Sequence, residues 1–375
     1  MKSFVKPVHF LFLTLFFITP LIFTQSNSEL FELPKMYFVY LSTILIVTFH
    51  LINFFQKKVP LIKKNFLNIP LILFLISQII STIYSIDPHT SFFGYYSRLN
   101  GGLLSLICYF LLYWILSVYI NSHLKKQIIN FSLLSGSLVA IYAVAQHFGI
   151  DKNWWVQDVQ SRVFSTFGQP NWLAAYICIL LPFSLYHSIK YFLEKKYFLF
   201  TIFQILFNLY FITLLFTKSK SGIIACLISL FIYFLFNFLK NKTSSKLLII
   251  NFLSLIILSL LINNPIKDKM FPSKGNIENQ IIENNNLNIT PSSDIRKIVW
   301  TGAIDLWKKF PMFGTGVETF AYSYYWTRPI EHNLTSEWDF LYNKAHNEYI
   351  NYLATTGLIG LITYLVLIFT VLFFL

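Results

Sequence analysis

Charge is scarce in this chain of 375 residues: 12% are charged, against 55% hydrophobic and 19% aromatic. That leaves too little polar surface to coat a soluble domain of this size, which excludes a water-soluble enzyme or binding module. Cysteine is scarce as well. Cys108, Cys178 and Cys226 lie at unrelated spacings inside apolar runs, so neither a disulfide framework nor a thiolate metal site follows, and they read as small buried hydrophobes. The net charge of +13 is no nucleic-acid footprint, because the basic residues are scattered between apolar segments instead of forming one stripe.

What is abundant is the long apolar run. Ten spans are predicted at roughly 8–24, 36–55, 68–86, 100–120, 127–149, 171–190, 197–216, 221–239, 247–263 and 349–375. The fold class expected is an all-α polytopic integral membrane protein with about ten transmembrane helices and one long extracytoplasmic loop containing amphipathic helices. Lys2 and Lys6 precede the first run as in a signal peptide, but no small-x-small cleavage site follows, so the run is read as a retained span. Alternate connections differ sharply in charge. One side holds fourteen cations, Lys2 and Lys6 with Lys57, Lys58, Lys63, Lys64, Lys125, Lys126, Lys190, Lys195, Lys196, Lys240, Lys242 and Lys246. The short connections on the other side hold six: Lys35, Arg98, Lys152, Arg162, Lys218 and Lys220. The richer side is expected to be cytoplasmic, which puts Arg98, Arg162, Lys220, Arg296, Arg328 and His346 on the extracytoplasmic face.

Three regions follow: a nine-helix transmembrane bundle over 1–263, a loop over 264–346, and a last transmembrane helix over 347–375. The loop is expected to be mobile over 264–290, where it is Asn-rich and aperiodic, and amphipathic-helical over 291–346. After P-S-S-D, the residues Ile295, Ile298, Val299, Gly302, Ala303 and Leu306 recur at helical spacing until Pro311 and Gly314. That helix is expected to lie on the membrane surface, with Arg296, Trp300, Ala303 and Trp307 on one stripe. The chain stops within an apolar run at Leu375, so a continuation beyond it is expected.

His346 stands at the mouth of the last span, where an imidazole can take a proton from a hydroxyl or can sit as an ordinary interfacial residue. Asn347 and Glu348 are placed to orient its ring. Gly357 and Gly360 clear one face of the last helix for close helix packing. Arg98, among tyrosines, can bind a phosphate or sugar or anchor the interface. Arg162 precedes a G-Q-P-N turn, for which a structural role is favoured.

His346-Asn347, nine residues, then Gly-x-x-Gly resembles the carboxy-terminal signature of the O-antigen ligase and O-antigen polymerase superfamily, which includes protein O-oligosaccharyltransferases. The run R-K-I-V-W-T-G-A-I-D-L-W-K-K-F-P-M-F-G-T-G-V-E-T-F is similar to that family's Arg, Trp, Ala and Pro-x-x-Gly-x-Gly pattern. Further likenesses are F-E-L-P-K at 31–35, R-V-F-S-T-F-G-Q-P-N-W-L-A-A-Y at 162–176 and T-K-S-K-S-G at 217–222. The resemblance implies transfer of a glycan from undecaprenyl diphosphate to an acceptor hydroxyl at the outer face of the cytoplasmic membrane. It implies neither metal nor nucleotide cofactor. The acceptor is a lipid, another glycan repeat or a protein, so ligase, polymerase and protein-modifying enzyme all remain open. By the same resemblance His346 is the base, Arg296 holds the diphosphate and Lys220 stands where the family has Arg; Arg162 is a further candidate for binding the diphosphate. Lys220 differs from a guanidinium in lacking a planar fork, and neutralising a phosphate or snorkelling to the interface are equally open to it. The chain has no Asp-x-Asp pair to hold a divalent cation on a diphosphate, which leaves that charge to Arg and Lys. A glycolipid flippase is the alternative from another class, but such transporters need ionisable groups at the bilayer midplane, which these spans lack away from their ends. A cell-wall polymerase of the shape and division family would leave the His-Asn and paired-glycine signature unexplained.

Overall fold

The computed structural model describes residues 5–240, 245–262, 264, 265, 267 and 290–374, and among these every regular element is helical. The segment expected to be mobile, 264–290, therefore lies outside the described residues apart from 264, 265, 267 and 290. In order the α-helices are α1 Val5–Ile18, α2 Glu32–Phe55, α3 Asn68–Ile83, α4 Pro88–Phe93, α5 Leu103–Tyr119, α6 Ser122–His147 and α7 Pro170–Leu193. They continue with α8 Tyr197–Phe216, α9 Lys220–Lys240, α10 Ser245–Leu261, α11 Ser292–Lys309, α12 Phe320–Ser323 and α13 Glu348–Phe374. Among the described residues six stretches are long and apolar enough to cross a membrane: α2, α6, α7, α8, Lys220–Asn237 of α9, and α13. Shorter apolar helices at Val5–Leu21, Asn68–Ile83, Leu103–Tyr119 and Leu248–Leu261 occupy the other expected positions. Large side chains such as Ile69, Phe236 and Phe369 stay exposed on these helices, as lipid contact requires. The protein is a polytopic membrane protein.

The chain divides into two units that do not follow the boundary drawn at 263. One comprises 1–8, 36–120 and 275–375, the other 9–35 and 121–274. In the second unit α7 and α8 pair through a short connection, and Leu173, Ile177, Leu181, Phe207, Phe211 and Leu214 form its core. One chain of polar groups is paired inside its apolar layer. Ser188 Oγ donates to Gln204 Oε1 at 2.8 Å, and Gln204 Nε2 donates to Asn251 Oδ1 at 2.8 Å.

In the first unit α11 forms where the periodicity predicts, and its apolar stripe of Ile295, Val299, Ala303 and Leu306 is buried. The expected resting place of that stripe on lipid is corrected: it packs on Phe320, Tyr324, Tyr342, Ala345 and Ala354 of the same unit. Gly302 makes the approach possible, because a Cβ there would lie 2.7 Å from the Tyr324 ring and 2.9 Å from the Thr327 carbonyl oxygen. Amphipathic helix does not continue to 346 either. Beyond Lys309 only α12 and short 3-10 turns at Tyr324–Trp326 and Ile330–Leu334 form, since Pro311, Pro329 and the left-handed Gly314 and Gly316 interrupt the backbone.

Helix α13 is broken inside an unbroken apolar run. Gly357 adopts φ 68 and ψ −169, a conformation essentially restricted to glycine. The break orphans backbone groups, and the P-M-F-G-T-G segment satisfies them. Thr315 N–H donates to the Ala354 carbonyl at 3.2 Å and Gly316 N–H to that of Thr355 at 2.8 Å, while Leu358 N–H donates to the Pro311 carbonyl at 2.9 Å. The partner of Gly357 is thus not a second helix but a loop backbone: a Cβ would lie 2.3 Å from Met312 O. Gly360 accommodates the side chain of Thr356, whose Oγ1 lies 2.0 Å from where its Cβ would be, with Gln78 of α3 beyond at 3.6 Å.

Candidate functional site

The candidate residues fall into two groups, one within each unit. In the first unit the loop ahead of α13 presents His346 in a left-handed conformation, φ 54, which fixes the direction in which the side chain leaves the backbone. Both neighbours are tied down. Trp300 Nε1 of α11 donates to the Ala345 carbonyl at 2.9 Å, and Ala345 N–H donates to Asn351 Oδ1 at 3.1 Å. Asn347 does not orient the imidazole. Its Oδ1 accepts the N–H groups of Tyr349 at 3.1 Å and Ile350 at 3.3 Å, so it caps α13. The ring neighbour is instead Tyr342, whose centroid lies 5.7 Å away at 85°.

His346 is exposed as a residue, yet its ring lies close enough to protein for lost hydration to lower its pKa, with Arg296 as the second cause. Lys344 acts in the same direction and Glu337 against it. The fold therefore favours the neutral imidazole, the form able to accept a proton. Arg296, one turn before Trp300 on α11, is exposed. Among the described residues no hydrogen bond or ion pair consumes its guanidinium, which leaves it able to meet an anion bidentately.

Lys344, two residues before His346, pairs with Glu318 at 3.2 Å. Glu318 in turn lies against the loop that carries Arg98, where a Cβ on Gly101 would be 2.5 Å from its carboxyl group. Arg98 itself is half-buried beside Tyr95, whose pKa it lowers against the upward pull of burial.

In the second unit Arg162 and Lys220 flank the turn between α8 and α9. Arg162 Nε donates to the Thr217 carbonyl at 3.0 Å, placing a cation at the negative end of the α8 dipole. Burial lowers its pKa. Ser219 Oγ accepts the Gly222 N–H at 3.2 Å as a helix cap and donates to Asn171 Oδ1 at 2.8 Å, leaving Lys220 exposed in the first turn of α9. The F-E-L-P-K stretch has a structural task here: Lys35 Nζ donates to the carbonyls of Ile22 at 2.7 Å and Thr166 at 2.6 Å, which ties the segment leading into α7. Beside Arg162 lies a cleft of about 490 Å³, lined by His147, Gln160, Ser161 and Lys218 together with apolar Phe216 and Ile262. One lysine and several polar side chains share this lining with the apolar ones.

Residues 205–365 match the O-antigen ligase family. Over this region the chain is similar to that family. The O-antigen ligase region runs from α8 into α13 and includes Lys220, Arg296, His346, Gly357 and Gly360, while Arg98 and Arg162 lie before it. The chain is also 32% identical over 144 residues to an uncharacterized transporter of Buchnera aphidicola subsp. Acyrthosiphon pisum. That alignment takes in 38% of this chain and 33% of the relative, so the chain spans about a third of the length of the curated protein it matches.

Residue reasoning missed Tyr342, Glu337, Glu318 and Asn351 around the O-antigen ligase signature. Asn351 lies four after Asn347 within a helix, whereas Tyr342, four before His346, lies in irregular chain where that spacing places nothing.

Proposed function

We propose that the protein is a membrane glycosyltransferase that moves a glycan from undecaprenyl diphosphate to an acceptor hydroxyl at the extracytoplasmic face of the cytoplasmic membrane. The observation that carries this reading is the pairing, inside the O-antigen ligase region, of an exposed imidazole biased toward its neutral form with an uncommitted guanidinium. In the reaction the acceptor oxygen attacks the anomeric carbon as His346 takes its proton, and the bond from that carbon to the diphosphate oxygen breaks. The leaving polyprenyl diphosphate carries the bonding pair, and Arg296 stabilises it. Lys220 and Arg162, in the second unit, are proposed as diphosphate contacts on their charge alone, Lys220 being exposed in the first turn of α9.

Two outcomes follow. Arg296→Ala is expected to raise the KM for the lipid-linked donor about tenfold or more, the order of one lost charge-assisted hydrogen bond, with a smaller change in kcat. Initial rates over a donor series check it. The acid limb of kcat/KM is expected below the ordinary imidazole value of about 6.5, because the base must be neutral and its pKa is lowered. Activity is then lost only as the pH falls through that lowered value. A rate profile whose limb lies above 6.5 contradicts the assignment.

The Buchnera relative, a transporter by name, supports transport as a second reading. The purified chain in vesicles holding a lipid-linked oligosaccharide separates the two. Transfer liberates polyprenyl diphosphate, whereas transport moves the intact glycolipid between leaflets and liberates none.

A further inference from the structure

Tyr342 is almost fully buried at 7% exposure and stands between two imidazoles. The buried His332 ring meets it at 5.0 Å and 75°, and the His346 ring at 5.7 Å and 85°. Its far side is held by a second pair, in which the Tyr324 hydroxyl and His332 Nδ1 are 2.9 Å apart. The Tyr342 hydroxyl donates to a carboxylate oxygen of Glu337. Burial and that bond both push the phenol pKa up, so Tyr342 stays a donor and holds the Glu337 side chain in place. Among the described residues Glu337 is thus the anion that acts on His346, against Arg296 of α11 and Lys344 of the same loop.

A base that takes a proton beside two cations needs that new charge balanced, and it needs a ring that does not turn away from the acceptor. We propose that Tyr342 and Glu337 are positioning residues for His346: a ring-and-carboxylate clamp that holds the imidazole in one orientation and balances the positive charge it acquires. This rests on His346 being the base. The clamp differs from a catalytic dyad in that the carboxylate reaches the imidazole through space, its own position being set by the tyrosine.

The test reads His346 without requiring transfer. Diethyl pyrocarbonate acylates neutral imidazole, so the extent of modification of the His346 peptide, followed by mass spectrometry across pH in the solubilised full chain, reports its titration. Glu337→Gln is expected to lower the midpoint by about half a pH unit, the scale of one nearby partly solvated charge. Tyr342→Phe keeps the ring wall but releases the carboxylate, and is expected to lower the midpoint in the same direction. Glu337→Asp restores part of the shift. In transfer assays Tyr342→Leu, which removes the wall, lowers kcat with the donor KM kept. A midpoint that Glu337→Gln leaves in place overturns the clamp, even where yield falls, because a purely structural role moves yield and not titration. If His346→Ala transfers normally, the base assignment fails by itself. If His346→Ala is inactive while the Glu337→Gln midpoint stays put, only the clamp fails.

Discussion

His346→Ala is expected to lower glycan transfer by about 10²–10⁴-fold while leaving the chain inserted and folded. The size follows from the role, since removing a positioned general base leaves donor binding and leaving-group stabilisation untouched. Retention of fold follows from the surroundings. The residue is exposed and its ring makes an edge contact with Tyr342, while the groups that organise the loop belong to Ala345, Asn347 and Asn351. The left-handed backbone at 346 disfavours alanine by about 1 kcal/mol, so His346→Asn, which tolerates that conformation, is the companion variant. Both should lose transfer to a similar degree at matched protein level, with thermal unfolding close to wild type.

Gly357→Ala is expected to have the largest effect on stability. Two costs add: a backbone conformation closed to residues with a Cβ, and a methyl 2.3 Å from a backbone oxygen that cannot rotate away. Each is of order 1–3 kcal/mol, so together they cost about 3 kcal/mol or more. Relief by straightening α13 would strand the carbonyl of Pro311 and the N–H groups of Thr315 and Gly316, which now pair across the break. Solubilised Gly357→Ala should therefore unfold at a clearly lower temperature. Leu358→Ala, at the adjacent exposed position, should not.

The helices were legible because the membrane imposes long apolar runs and helix ends carry local signals, such as Pro170 at the start of α7. Helix α11 was legible from its period, but period does not say what an apolar stripe packs against, and its cover comes from a loop and from α13. The break at Gly357 was hidden for a related reason. Thr355 and Thr356 do not interrupt an apolar run, and the interaction that fixes the break is backbone pairing with residues some forty positions earlier. Within the site, His346 and Arg296 could be singled out because they lie in recognisable runs. Tyr342 and Glu337 lie in irregular chain, where no spacing rule links a residue to its neighbours in space. Asn347 was read as a ring partner because it adjoins His346, yet the helix that begins there needs its side-chain oxygen first.

The central claim is that His346 removes the acceptor's proton in a glycosyl transfer. Its most direct test is the release of polyprenyl diphosphate from a lipid-linked oligosaccharide, measured in membranes holding wild type or His346→Ala at equal protein level. Release by the wild type with loss in the variant is the predicted result, and equal release from both would contradict it.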